Sequence, residues 1–266
     1  MKIIVCVKQV PDTSGKVAVN PDGTLNRASM ATITNPDDLN AVEAALVLKE
    51  QTGAEVVVVS MGPPPAEGML REIIARGADR AVLVSGREFG GSDTYATSQI
   101  LAAAINKIGI EPEDIVMCGR QAIDGDTAQV GPQIAEKLGL PQISYAADIQ
   151  LDGNTVTVKR MLEDGYMTIK TQTPCLITCI KELNEPRYMS VYGIFDCYSK
   201  PYEVLDYNAL KDDPLIDPST IGLMGSPTNI LTSFTPPQKG AGMMLEGADK
   251  ATCDQLAGIM AAKHMI

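Results

Sequence analysis

Arg120, Asp124, Asp126, Thr127 and Gln129 crowd into one polar stretch, with Gly119, Gly125 and Gly131 spaced through it. An apolar run, Ile115 to Cys118, comes before it and reads as a buried strand. Gly119 then allows a sharp turn. From Thr127 to Leu138 the apolar residues Val130, Ile134 and Leu138 recur four apart, the spacing of one helical face. A strand, a glycine-bearing loop and a helix N-terminus together present free main-chain N–H groups and the positive end of a helix dipole to an anion. A nucleotide phosphate is the usual occupant of such a place.

Asp126 followed three residues later by Gln129 fits a capping box. Gly131 allows a ligand or another backbone to come close. Pro132 would remove a hydrogen bond from the second turn of a helix beginning at Thr127, so either the helix starts near Pro132 or its first turn is irregular. The carboxylates of Asp124 and Asp126 repel a phosphate. Binding must therefore come from main-chain N–H groups, Thr127, Gln129 and Arg120, with the acids bonding ribose or loop backbone. Gln121, Ala122, Ile123 and Ala128 complete the loop. The competing reading is an ordinary strand-to-helix loop built from turn-forming Asp and Gly, since neither a Walker nor a G-x-G-x-x-G spacing is present.

Composition narrows the field. The 266 residues are enough for one large domain or a domain with an appendage. The net charge of −11 supplies no basic footprint for nucleic acid, and an aromatic content of 4% without Trp offers no stacking surface for single strands. No apolar run is long enough to span a bilayer, and the N-terminal run is too short for a signal peptide, so a bacterial-type cytoplasmic protein is expected. Cysteines at 6, 118, 175, 179, 197 and 253, with His264 as the only histidine, follow no zinc or iron–sulfur spacing; all six are expected to be reduced and structural.

The elements that must position the loop read as an α/β fold. Ile3 to Val7 is a buried strand. Lys16 to Asn26, with a turn at Pro21-Asp-Gly23, reads as a small hairpin. Asn35 as N-cap, Pro36 at the first helical position and the acids Asp37 and Asp38 start a helix that Gly53 ends. Strands at Glu55–Met61 and Arg80–Ser85 alternate with helices at Ala66–Arg76 and Ser92–Ile108, and a further strand covers Leu140–Tyr145. Short connections and continuous apolar strands predict a doubly wound, mostly parallel sheet, Rossmann-like, with helices on both faces. Ligands of such sheets bind beyond the carboxyl ends of the strands, here Cys6 to Lys8, Ser60 to Gly62, Ser85–Gly86 and Cys118–Gly119. From Ile149 the pattern predicts antiparallel hairpins, including Cys175 to Ile180. The expected organisation is a nucleotide-binding domain over 1–182 and a segment over 183–266 without clear period, an extended arm that ends in a terminal helix over Ala248–Lys263.

Read together, these pieces resemble the beta subunit of electron transfer flavoprotein. The motifs carrying the likeness are Val7-Lys-Gln-Val-Pro11, Asn35-Pro36, Ser60-Met-Gly-Pro63, Arg120-Gln-Ala-Ile-Asp-Gly-Asp126 with Gln129 and Gly131, Lys159-Arg-Met-Leu-Glu-Asp-Gly165, Thr173-Pro-Cys-Leu-Ile-Thr178, Leu183-Asn-Glu-Pro-Arg-Tyr188 and Pro236-Pro-Gln-Lys-Gly-Ala-Gly242. Met167 departs from the acid or amide usual in the family's hairpin. The resemblance implies a heterodimer with an alpha subunit and an adenine nucleotide touching Cys6, Asn35 to Asp38, Met61 and Arg120 to Gly131. It implies that Leu183, Asn184, Glu185, Pro186, Arg187 and Tyr188 dock on an acyl-CoA dehydrogenase, with Leu183 an exposed anchor, and that the arm wraps the alpha subunit.

The family divides by what fills the beta site: structural AMP in one branch, FAD in the other. Val10-Pro11-Asp12-Thr13 and Tyr192-Gly-Ile-Phe195 resemble the FAD branch. That branch takes hydride from NADH and bifurcates the electrons, one through the alpha-subunit FAD to an acyl-CoA dehydrogenase, the other to ferredoxin or flavodoxin. No side chain of this chain then need act as acid, base or nucleophile, and Lys8 or an alpha-subunit Arg offsets charge on a reduced flavin. Two alternatives stand beside it: an AMP-binding subunit of a simple carrier, and a nucleotide-binding sensor without a redox role.

Overall fold

The computed structural model describes residues 1–12, 31–228, 231 and 240–266. The chain begins with β1 (Lys2–Cys6), β2 (Gln9–Pro11) and β3 (Thr32–Thr34), followed by α1 (Pro36–Thr52), β4 (Glu55–Met61), α2 (Glu67–Arg76), β5 (Arg80–Val84), α3 (Thr94–Ile108), β6 (Ile115–Gly119) and α4 (Val130–Leu138). Next come β7 (Gln142–Asp152), β8 (Thr155–Met161), β9 (Tyr166–Gln172) and β10 (Cys175–Cys179), then α5 (Val191–Asp196), β11 (Tyr202–Leu205), α6 (Tyr207–Leu210), α7 (Gly222–Gly225) and α8 (Lys250–Ala262).

Nine strands form one sheet in the order β11-β5-β4-β1-β6-β10-β7-β8-β9, parallel except for the β7–β8 and β8–β9 pairs. The alternation along β1 explains the two layers. Ile3 and Val5 face α1 and α2, while Ile4 and Cys6 face α3 and α4. With helices on both faces, the central strands carry unbroken apolar runs such as Val56–Val59. The doubly wound parallel architecture expected from the sequence is present.

Three expectations need correction. Cys175–Cys179 does not extend the antiparallel hairpins. It returns to the parallel sheet and inserts between β6 and β7. A wholly buried run, Cys-Leu-Ile-Thr-Cys, cannot sit at an open edge, and this position covers both its faces. The strand read as Leu140–Tyr145 runs on to Asp152, pairing with β10 first and with β8 after an irregularity at Ala146–Asp148. Finally, residues 191–225 are not irregular. They supply α5, β11, α6 and α7, with β11 hydrogen-bonded along β5 and Leu205, Leu210, Ile216 and Ile221 buried in the core. These pieces are four to six residues long, too short for hydrophobic periodicity to register. The terminal helix, α8, has no buried residue.

The hairpin read over Lys16–Asn26 lies outside the described residues, but its flanks are paired: β2 and β3 run antiparallel with Val10 opposite Ile33 and Pro11 opposite Thr32.

Gly119 ends β6 against the first turn of α1. A Cβ there would stand 2.6 Å from the Asp37 carbonyl carbon and the Asp38 nitrogen, and closer still to an Asp38 carboxylate oxygen. Gly119→Ala is expected to lower the unfolding free energy by about 1–3 kcal/mol, the usual range for overpacking, as measured by urea denaturation. Among the cysteines only Cys253 is exposed, and burial pushes the Cys175 thiol up to about 12. A thiol reagent is expected to modify one cysteine rapidly in the native protein and all six after denaturation.

Candidate functional site

β1 leads through α1 to β4 on one side, and the chain later returns to place β6 on the other side of β1. The carboxyl ends of β1 and β6 therefore flank the point where strand order reverses, the usual ligand crevice of an open α/β sheet. The N-terminus of α1 sits at this crevice. Asp38 is buried, and its two carboxylate oxygens accept from the main-chain N–H groups of Lys8 (2.8 Å) and Gly119 (3.1 Å). One side chain thus spans both strand ends. Burial pushes its carboxyl up to about 7, against the N–H donors that favour the ionised form. Asp37 is raised in the same direction by burial, opposed by Arg120, whose Nε lies 3.2 Å from its Oδ2.

Asn35 is fully buried and stands at the N-cap position, but its side chain does not cap the helix. Its Nδ2 donates to the Gln121 carbonyl at 2.8 Å and its Oδ1 accepts from Ile123 N at 3.1 Å. The capping box expected from Asp126 and Gln129 is also absent. Gln121 Nε2 donates to Asp126 Oδ1 at 2.7 Å instead, and α4 starts at Val130 with Gln129 before it. That start resolves the question raised by Pro132, which falls in the first helical turn, where its missing N–H has no intrahelical partner to lose.

The loop between β6 and α4 is pinned from several sides. Arg120 N donates to Cys179 O at 2.8 Å. Lys8 Nζ lies 2.8 Å from both Asp124 oxygens. Thr94 Oγ1 donates to Gln129 Oε1 at 3.4 Å. Asp124 and Asp126, the acids that would repel an anion, are thus already engaged by Lys8 and Gln121. Asp126 (φ 49°) and Ala128 (φ 54°) both take left-handed backbone, which is uncommon away from glycine and concentrates at functional loops. Beyond them the N–H groups of Thr127, Ala128, Gln129, Val130 and Gly131 have no acceptor among the described residues. Two free amides in the first turn of α4 and three in the loop just before it offer donors suited to phosphate oxygens. Gly131 keeps α4 close to the sheet, since a Cβ would stand 2.8 Å from Thr178 Cγ2.

The remaining predicted residues distribute as follows. Cys6 and Cys118 are cross-strand neighbours beneath the crevice, and the Cys118 thiol is held protonated by its hydrogen bond with Cys6 and then by burial. Met61 is half-buried at the end of β4, and Gly62 N donates to Val84 O. Val10 is buried, Pro11 and Asp12 are half-buried, and Thr13 lies outside the described residues. Ser60, at the strand end the sequence places on the ligand side, keeps a buried hydroxyl without a partner among the described residues at the same rim.

The 183–188 segment lies on α1. Leu183 is half-buried against the core, contrary to its expected exposure. Asn184 and Asn40 exchange hydrogen bonds of 2.8–3.1 Å. Arg187 makes a forked contact with Glu43 (2.9–3.1 Å) and reaches Glu50, while Arg76 donates to its carbonyl. Pro186 is half-buried, and Glu185 and Tyr188 face solvent. Glu43 and Asn40 escaped sequence reading because a buried acid or amide on a helix gives no local signal of a partner 144 residues away.

Asp38 makes stability depend on pH. Its folded-state value of about 7 exceeds the ordinary 3.8, so the folded protein holds a proton there that the unfolded chain releases. Stability of the wild type relative to Asp38→Asn is therefore expected to fall by about 2–4 kcal/mol as pH rises across that window, read from paired denaturation curves.

A family model described as electron transfer flavoprotein domain matches residues 22–204. The chain is 68% identical over 267 residues to an acryloyl-CoA reductase electron transfer subunit gamma of Anaerotignum propionicum, covering 100% of both chains. It is 50% identical to the caffeyl-CoA reductase-Etf complex subunit CarD of Acetobacterium woodii, over 99% of this chain and 97% of the relative. It is 49% identical to an electron transfer flavoprotein subunit beta of Clostridium acetobutylicum, over 100% of each.

Proposed function

The chain belongs to the electron transfer flavoprotein family, and from that premise we propose that it is the beta subunit of an electron-bifurcating heterodimer that binds FAD at the β1–β6 crevice. The observation that carries this reading is the row of five free amides from Thr127 to Gly131 at the switch point of the sheet. The adenylate phosphates would lie against those amides, with Arg120 at the loop's other end and Met61 and Cys6 lining the strand ends. The donor set fits a group whose anionic part needs main-chain donors and whose charge the paired Lys8–Asp124 does not oppose. Val10 to Asp12 stand on the β2–β3 ribbon beside Lys8, where the FAD-branch motif occurs.

Bound there, FAD supplies acceptance of hydride from NADH and division of the two electrons between an acyl-CoA dehydrogenase, by way of the alpha-subunit FAD, and ferredoxin or flavodoxin. The residues of this chain bind and orient; the Cys118 thiol, pushed up by its hydrogen bond with Cys6 and by burial, is a poor nucleophile. The names of the relatives, an acryloyl-CoA reductase subunit and a caffeyl-CoA reductase complex subunit, support an acyl-CoA dehydrogenase as partner. So does the exposed aromatic surface of Tyr188, Tyr192 and Phe195, since solvent-facing aromatics of this kind are typical interface anchors. The alpha subunit would take the arm beyond residue 226. Among the described residues no helix is long and apolar enough to cross a membrane.

Co-expression with the alpha subunit followed by a nucleotide count tests the proposal. Two flavins per heterodimer, with NADH bleaching both in the presence of ferredoxin, is the expected result. One flavin together with AMP assigns the chain to the simple-carrier branch. A colourless protein that binds no adenine nucleotide overturns both.

A further inference from the structure

The acidic start of α1 has the look of a ligand surface, because it stands at the crevice and carries Asn35, Asp37 and Asp38. The hydrogen-bond geometry says otherwise. Asn35 is fully buried, its amide nitrogen donates to Gln121 O and its amide oxygen accepts from Ile123 N. Asp38 is equally spent: one oxygen takes the Lys8 amide, the other the Gly119 amide. The Asn35 and Asp38 side chains are thus turned inward and engaged by main chain, whereas Asp37 faces the Arg120 guanidinium. The free donors lie elsewhere, from Thr127 to Gly131.

We infer that the side chains of Asn35 and Asp38 are positioning groups that hold the phosphate-facing loop in its binding shape before any nucleotide arrives, and that they act through the loop and strand ends, any contact of residues 35–38 with the ligand being left to their main chain. The inference rests on the nucleotide reading for its consequence but not for its geometry. Asn35 fixes the loop at two points two residues apart, through a side chain that both donates and accepts, which an ionised Asp of the same size cannot do. Asn35→Asp keeps the acceptor for Ile123 but sets a carboxylate against the Gln121 carbonyl. Asp38 fixes where β1 and β6 end, and hence where the loop begins. A loop with left-handed backbone at Asp126 and Ala128 has little tendency to hold that form unaided, so preorganisation must come from outside it.

Amide hydrogen exchange on the full-length chain without nucleotide, paired with AMP and FAD titrations, separates the possibilities. In the wild type Gly119 and Ile123 are expected to be protected before ligand is added, and ligand is expected to add protection at Thr127–Gly131. In Asn35→Asp the nucleotide-free loop over 120–129 is expected to exchange at least about tenfold faster while β4 and β5 are unchanged, and affinity to fall about tenfold or more, the usual scale for a lost buried hydrogen bond. Asp38→Asn is expected to loosen Lys8 and Gly119 in the same way. Affinity lost with no change in nucleotide-free exchange would mean direct ligand contact and overturn the inference, as would faster exchange with unchanged affinity. Should a variant not fold, the wild-type pattern still decides: Gly119 and Ile123 unprotected until ligand is added would sink it. A wild type that binds neither nucleotide refutes the functional proposal alone, because the exchange comparison still reads whether α1 shapes the loop.

Discussion

The carboxylate of Asp38, placed between the amides of Lys8 and Gly119, is the contact on which the rest of the crevice depends. At the reversal point the connections from the two paired strands leave for opposite faces of the sheet, and the amides at the strand ends are left without a ladder partner. Leaving them bare would cost about 1–3 kcal/mol each if buried. One acid from the first turn of a helix satisfies both, which sets the helix, the strand ends and the loop origin in a single arrangement. The demand for Gly at 119 follows, because no side chain can share that space with Asp37 and Asp38.

The same helix does a second job further along. Asn40, Glu43 and Glu50 anchor residues 184–187, so α1 links the crevice at its N-terminus to the segment whose Glu185 and Tyr188 face solvent. Arg187 is consumed by its two carboxylates. Its contribution is to fix the backbone of that segment, while the groups left to meet another surface are aromatic or acidic. Eleven aromatic residues serve the whole chain, so their concentration at positions 188, 192, 195 and 198, all largely exposed, is not a by-product of composition.

Much of this was legible in the residues. Continuous apolar runs and short connections imposed the parallel sheet, and Gly119 followed by a polar loop and a helical period marked the loop that stands at the strand-order reversal. What escaped was anything depending on a partner far along the chain. Asn35 and Asp126 carry the right chemistry for caps, and only the folded loop reveals better partners for each, at Gln121 and Ile123. Leu183 reads as a solitary apolar residue among polar ones; whether it points outward depends on α1 and the core beneath it. Cys175–Cys179 follows two hairpins and looks like a third hairpin strand, because local pattern cannot distinguish adding to a sheet from slotting into one.

That slot has a consequence for how the molecule is assembled. β10 lies between β6 and β7 although both precede it, so a ribosome must release the chain through Cys179 before the middle of the sheet can close. Until then β6 lacks its outer neighbour, and Arg120, whose amide rests on the Cys179 carbonyl, has nothing to hang from. Pairings across such long chain separations are slow to form. The crevice is thus among the last parts of the domain to be built: a nascent chain can possess its glycines, its loop and its helix and still have no cleft between the ends of β1 and β6.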